Sequence, residues 1–126
     1  MQIIDQIFKF LSVGAINTIL GLVIIFALQL SGVDYLLANL SGYAAGLLFS
    51  FLMNRFWSFR VRGSVTLLEL ARFLITFLAA YTSNLIVVAA FVEILDVSVY
   101  ISQVIGVVVY AVVNFVGLKC VVFNVR

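Results

Sequence analysis

Four apolar runs, over residues 10–30, 35–54, 73–92 and 97–118, alternate with polar breaks along the chain, and none of them contains Asp, Glu, Lys or Arg. A helix needs about 20 apolar residues to cross a hydrocarbon core of about 30 Å, so each run has the length of one crossing. Ser31-Gly32-Val33-Asp34 has the composition of a tight turn, Glu93 to Asp96 makes a second short break, and residues 55–72 form the one long connection. The pattern predicts an all-α membrane protein with four transmembrane helices arranged as two tandem helical hairpins, a single domain over residues 1–126.

Composition narrows this further. Of 126 residues 66% are hydrophobic and 10% charged, against about 45–50% and about 25% in an ordinary soluble domain. So few charges do not cover a water-facing surface, and a soluble enzyme is excluded. There is no His and a single Cys, so neither a Ser/His/Asp constellation nor a Cys/His zinc site can be assembled. No catalytic residue, metal or cofactor is expected. A net charge of +2 is too small to imply nucleic acid as a partner.

Basic residues near membrane helices are retained on the cytoplasmic side. Lys9, Arg55, Arg60, Arg62, Arg72, Lys119 and Arg126 all fall on one side of a four-crossing chain, while Asp34, Glu93 and Asp96 fall on the other. Both termini and the middle loop are therefore expected in the cytoplasm, with the acidic turns outside. The first run is longer than the apolar core of a signal peptide and lacks an A-x-A-like site after it, so it reads as a retained helix. Cys120 falls at the cytoplasmic end, where a thiol stays reduced.

The halves resemble one another. An offset of 64 sets Gly42 on Gly106, Phe51 on Phe115, Arg55 on Lys119 and Phe59 on Phe123, and an offset of 63 sets Lys9-Phe10-Leu11 on Arg72-Phe73-Leu74. Two crossings per half imply repeats of the same orientation; the alternative is that two apolar hairpins look alike by composition. Ala38, Gly42, Gly46 and Ser50 make a flat stripe on the second helix, with Ser102 and Gly106 on the fourth and Gly14, Thr18 and Gly21 on the first. Such stripes let helices approach closely, within one bundle or across a homo-oligomer seam.

No carboxylate lies in any of the four runs; what they hold is amide and hydroxyl. Asn17, Asn54, Asn84, Asn114, Gln103, Tyr81 and Tyr110 stand out, because unpartnered amides and phenols are costly in hydrocarbon. They either pair across helices or line a groove for a neutral, hydroxyl-rich ligand. For Thr18, Ser50 and Ser83, bonding back to their own helix suffices. Asp5 and Glu69 are isolated carboxylates with no nucleotide-sugar domain around them. At the end of the second run, Asn54-Arg55-Phe56-Trp57-Ser58-Phe59-Arg60-Val61-Arg62 alternates rings and guanidinium groups. Rings belong at headgroup depth and arginines bind phosphate, so the segment is either an interfacial anchor or a lipid-phosphate site. In the second reading Arg55 and Lys119, with Arg60 and Arg72, hold the phosphate while the amides receive a sugar.

The opening Lys9-Phe10-Leu11-Ser12-Val13-Gly14-Ala15-Ile16-Asn17-Thr18, the run Tyr35-Leu36-Leu37-Ala38-Asn39, and above all Phe51-Leu52-Met53-Asn54-Arg55-Phe56-Trp57-Ser58-Phe59 resemble the GtrA-like family over nearly the whole chain. The fourth run ends in Leu118-Lys119-Cys120-Val121-Val122-Phe123, without the aromatics that the family often places after its second basic residue. The resemblance implies a bacterial or archaeal inner-membrane flippase of undecaprenyl-phosphate-linked glucose or a related monosaccharide, serving cell-surface polysaccharide synthesis. A membrane glycosyltransferase would make that lipid. Two other readings stand beside it: a noncatalytic partner that recruits or stabilises the glycosyltransferase, and a small multidrug-type exporter, which the missing membrane carboxylate disfavours.

Overall fold

The computed structural model describes residues 2–123; Arg126, used above to orient the chain, lies outside them. The elements in order are α1 (Gln2–Leu30), α2 (Tyr35–Met53), a π-helical turn π1 (Asn54–Ser58), α3 (Leu67–Glu93), α4 (Val99–Gly117) and a second π-helical turn π2 (Leu118–Val122). All four long helices are apolar enough to cross a membrane. The chain forms two compact units that divide between Arg62 and Gly63. In the first, α1 packs on α2 and on π1; in the second, α3 packs on α4 and on π2.

Each unit is a helical hairpin with a left-handed residue in its turn. In the first, Gly32 (φ +91°) follows α1, Val33 donates to the Leu28 carbonyl at 3.0 Å, and Asp34 caps α2 by accepting from the Leu36 amide at 3.2 Å. In the second, Asp96 (φ +56°) stands where Gly32 stood, a conformation that Asp tolerates better than most residues. Val97 donates to the Phe91 carbonyl at 2.8 Å, and Ser98 caps α4 through the Ile101 amide at 3.3 Å. Gly32 and Asp96 are 64 residues apart, as are Asp34 and Ser98 and the starts of the two π-turns. The buried positions Ala38 and Ser102, and Phe51 and Phe115, keep the same spacing. The resemblance of the halves is thus a repeat of architecture.

Three boundaries differ from the hydropathy pattern. The first helix begins at Gln2, not at residue 10. Gln2, Asp5, Gln6 and Lys9 follow i, i+3, i+4, i+7 spacing and share one helix stripe, so the polar residues face π1 while Ile3, Ile4, Ile7 and Phe8 are exposed. At 29 residues α1 is about 43 Å long, which exceeds the hydrocarbon core and requires tilt or projection into the headgroups. The third helix begins at Leu67, not at residue 73, because Thr66 caps it by accepting from the Glu69 amide at 3.1 Å. The second and fourth helices continue through their π-turns, where Phe59 and Phe123 close the chain onto the Asn54 and Leu118 carbonyls, each at 2.9 Å. The long connection shrinks to residues 59–66.

Close helix contact falls at a subset of the glycines. A Cβ at Gly42 would overlap the Ile25 side chain and stand 3.0 Å from the Gly21 carbonyl oxygen. At Gly46 it would stand 2.8 Å from Asn17 Oδ1, and at Gly106 2.6 Å from Val88 and 2.7 Å from the Asn84 amide nitrogen. The stripe on α2 therefore packs against α1 of its own hairpin. Gly14, expected in the matching stripe on α1, has nothing within 4 Å of that position, and Thr18 is exposed. Thr18 and Ser83 bond back to the carbonyls of Gly14 and Ala79, whereas Ser50 accepts from the Asn54 side chain.

Candidate functional site

At the basic end of the first unit, π1 places Arg55 inside the protein and Phe56 and Trp57 outside it. Arg55 is 1% exposed, its guanidinium carbon stands 5.1 Å from the Phe56 ring centre, and it has further protein partners in that enclosure. A guanidinium so enclosed is costly to bury unless paired and hydrogen-bonded, so Arg55 belongs to the internal framework of this end. Asn54 is buried beside it, donating to the Ser50 hydroxyl at 3.2 Å and accepting from Ser58 at 2.9 Å. Both ends of its amide are thereby engaged.

Arg60 follows π1 with φ +53°, a backbone conformation better suited to glycine. Its side chain is 71% exposed and reaches Asp5 Oδ2 at 3.4 Å. Lys9 reaches the same oxygen at 3.1 Å and lies 5.7 Å from the Trp57 ring centre. The polar stripe of α1 and the end of π1 together form a recess lined by Gln2, Asp5, Gln6, Ser58, Phe59 and Arg60. Gln2, Asp5, Gln6 and Lys9 lie in a stretch that hydropathy alone leaves outside the first crossing. Their four-residue helical stripe is the sequence signal that marks them.

In the second unit Lys119 occupies the position of Arg55 in π2 and is half-buried, while Arg72 is exposed near the start of α3. The polar residues inside the helices are dispersed. Asn17 lies against Gly46, with its Oδ1 buried and unpartnered among the described residues. Asn114 Oδ1, in the second unit, is also buried and unpartnered. Asn84 lies against Gly106. Phe77 joins Tyr81, stacked at 6.1 Å between ring centres, to Tyr110, edge-on at 6.3 Å. Gln103 is exposed near the start of α4. No group of three or more Cys, Asp or Glu suited to a metal occurs among the described residues.

Four crossing helices in two repeated hairpins, each with a cation set into a π-turn, define a small multi-pass membrane protein built for work at the bilayer. The sequence matches the family described as GtrA/DPMS, transmembrane domain, over residues 9–123, and the chain belongs to that family. The uncharacterized membrane protein YngA of Bacillus subtilis (strain 168) is 29% identical over 116 residues, which cover 92% of this chain and 78% of that protein. Family membership relates the chain to membrane proteins of polyprenyl-phosphate sugar metabolism, whose members are generally flippases rather than catalysts.

Proposed function

We propose that the protein carries a polyprenyl-phosphate-linked monosaccharide, undecaprenyl-phosphate-linked glucose or a close relative, across the cytoplasmic membrane of a bacterium or archaeon for cell-surface polysaccharide synthesis. The observation that carries this reading is the family match over residues 9–123. The cluster of rings and cations at the end of α2 supports it, since exposed Phe56 and Trp57 suit headgroup depth and Arg60 offers a solvent-facing guanidinium for a phosphate. Within the first unit Arg60 makes the first contact with the phosphate, with Arg55 enclosed behind it; within the second, Arg72 and Lys119 hold the corresponding exposed and half-buried positions. The buried, unpartnered oxygens of Asn17 and Asn114 accept hydrogen bonds from sugar hydroxyls during passage. The polyprenyl tail stays in lipid throughout, and removal of the product outside sets the direction.

The test is exchange of a polyprenyl-phosphate monosaccharide across proteoliposomes, read by protection from an added reagent, for the wild type and Arg60→Gln. Exchange above that of empty liposomes, reduced about tenfold or more by Arg60→Gln as for loss of a charged hydrogen bond, is the expected result. No exchange by folded protein over a panel of sugars overturns this reading and assigns the chain to recruitment of a glycosyltransferase.

A further inference from the structure

The charges at the basic end of the first unit are not all of one sign. Lys9 Nζ and Arg60 Nη2 meet on one oxygen of Asp5, at 3.1 and 3.4 Å. Among the described residues of that unit Asp5 is the one acid at this end, since Asp34 lies in the far turn. The Lys9 side chain is 12% exposed, whereas those of Asp5 and Arg60 are 46% and 71% exposed. An anion approaching from water therefore meets the guanidinium and the carboxylate together.

Two ordinary roles account for part of this. A carboxylate in the first turn of α1 complements the helix dipole, and Asp5 four residues before Lys9 makes a favourable i, i+4 pair. Neither role needs the contact with Arg60, which lies 55 residues further along the chain and is presented from a left-handed backbone (φ +53°). That contact engages one nitrogen of the guanidinium fork, so the remaining N–H donors face solvent beside the carboxylate. The second unit repeats the theme in sequence, with Glu69 in the first turn of α3, three residues before Arg72.

Such an arrangement sorts anions by their charge. Each cation here attracts a dianion more strongly than a monoanion, and Asp5 opposes that preference. The distinction bears on two lipids that differ by a sugar. A sugar joined to a polyprenyl phosphate makes a phosphodiester with a single negative charge, whereas the bare carrier left once the sugar is removed is a monoester of about −1.5 to −2 at pH 7. We propose that Asp5 is a specificity-determining residue, setting the charge of the site so that Arg60 takes the singly charged phosphodiester and is not held by the more highly charged bare carrier, an inference that rests on the lipid-phosphate reading above.

The test compares two probes with one tail, a short-chain prenyl monophosphate and its methyl phosphodiester, so that charge varies without a sugar. The full-length protein in phosphatidylcholine nanodiscs is titrated with each at neutral pH, with empty nanodiscs as the baseline. Binding is read from the emission of Trp57, the single tryptophan, whose ring centre lies 5.7 Å from Lys9 Nζ. Asp5→Asn removes the charge and keeps an oxygen for Arg60; Asp5→Glu keeps the charge. The expected result is that Asp5→Asn shifts the ratio of the two affinities toward the monoester by about threefold or more, the effect in water of one further unit of ligand charge about 6 Å from the carboxylate, while Asp5→Glu holds the wild-type ratio. A ratio of two ligands on one sample does not depend on the fraction folded, and a role confined to the start of α1 leaves it unmoved. An unchanged ratio in Asp5→Asn, with both probes still weakened by Arg60→Gln, overturns the selectivity and leaves the phosphate reading in place. No saturable response to either probe, or one that ignores Arg60→Gln, overturns the phosphate reading and the selectivity with it. A shifted ratio without exchange of lipid-linked sugar in proteoliposomes upholds the selectivity and removes translocation.

Discussion

A glycine in a membrane helix matters where a second backbone comes near it, and α1 and α2 contain one of each kind. Gly42 leaves room for the Ile25 side chain and the Gly21 carbonyl, and the latter is backbone and does not rotate away. Gly14 leaves room for nothing. Without a hydrophobic drive between helices in lipid, such close packing holds the hairpin together. Gly42→Ala should therefore cost about 1–3 kcal/mol through overpacking, while Gly14→Ala should stay within about 0.5 kcal/mol. Thermal unfolding of the two variants in detergent compares them directly, and equal melting temperatures would refute the packing argument. Arg55 makes the same point for charge. It directly follows the second apolar run while Arg60 comes five residues later, and the first is enclosed where the second faces solvent. The position in the sequence sets Arg55 apart but does not give its burial, and the left-handed turn at Arg60 is seen only in three dimensions.

The elements show which parts of the fold can be read from sequence and which cannot. Four crossings and two tight turns follow from run length and from Gly32, Asp34 and Asp96, because a bilayer demands a fixed helix length and hairpin turns demand particular residues. The starts of α1 and α3 escape that logic. Hydropathy sums polarity without asking on which side it falls, so the stripe through Gln6 and Lys9 reads as an end to the helix when it is a packed face. Thr66 and Glu69 carried a capping signal of their own. The π-turns have no composition that sets them apart from α-helix, and their matched positions emerge only in three dimensions. One of them closes with a polar ladder of Ser50, Asn54 and Ser58, the other with Leu118 and Val122. Replacing both members of a buried polar pair by apolar groups is nearly neutral, whereas removing one leaves the other unsatisfied. Asn54→Ala alone should thus lose about 1–3 kcal/mol of stability, and Asn54→Leu with Ser58→Val should melt close to the wild type.

At the scale of the whole molecule, charge sorting is the remaining constraint on how the chain lies in the membrane. Within the first unit Lys9, Arg55 and Arg60 gather at one end of the hairpin and Asp34 at the other; within the second, Arg72 and Lys119 oppose Glu93 and Asp96. Both hairpins have an even number of crossings, so each returns the chain to the side on which it began. The positive-inside rule then predicts both basic ends in the cytoplasm and both turns outside. The single cysteine makes this measurable without further engineering at one end, since Cys120 is exposed in π2. A membrane-impermeant maleimide should label Cys120 in inverted vesicles and leave it unlabelled in intact cells. With Cys120→Ser and Ser31→Cys, which moves the thiol to the exposed turn after α1, the pattern should reverse. Labelling of both positions from the same side would break the hairpin topology itself. Reversal of both patterns would keep the hairpins but turn the protein over, placing the basic ends with Arg60 and Lys119 on the outer face, where they could not meet a phosphate in the cytoplasmic leaflet.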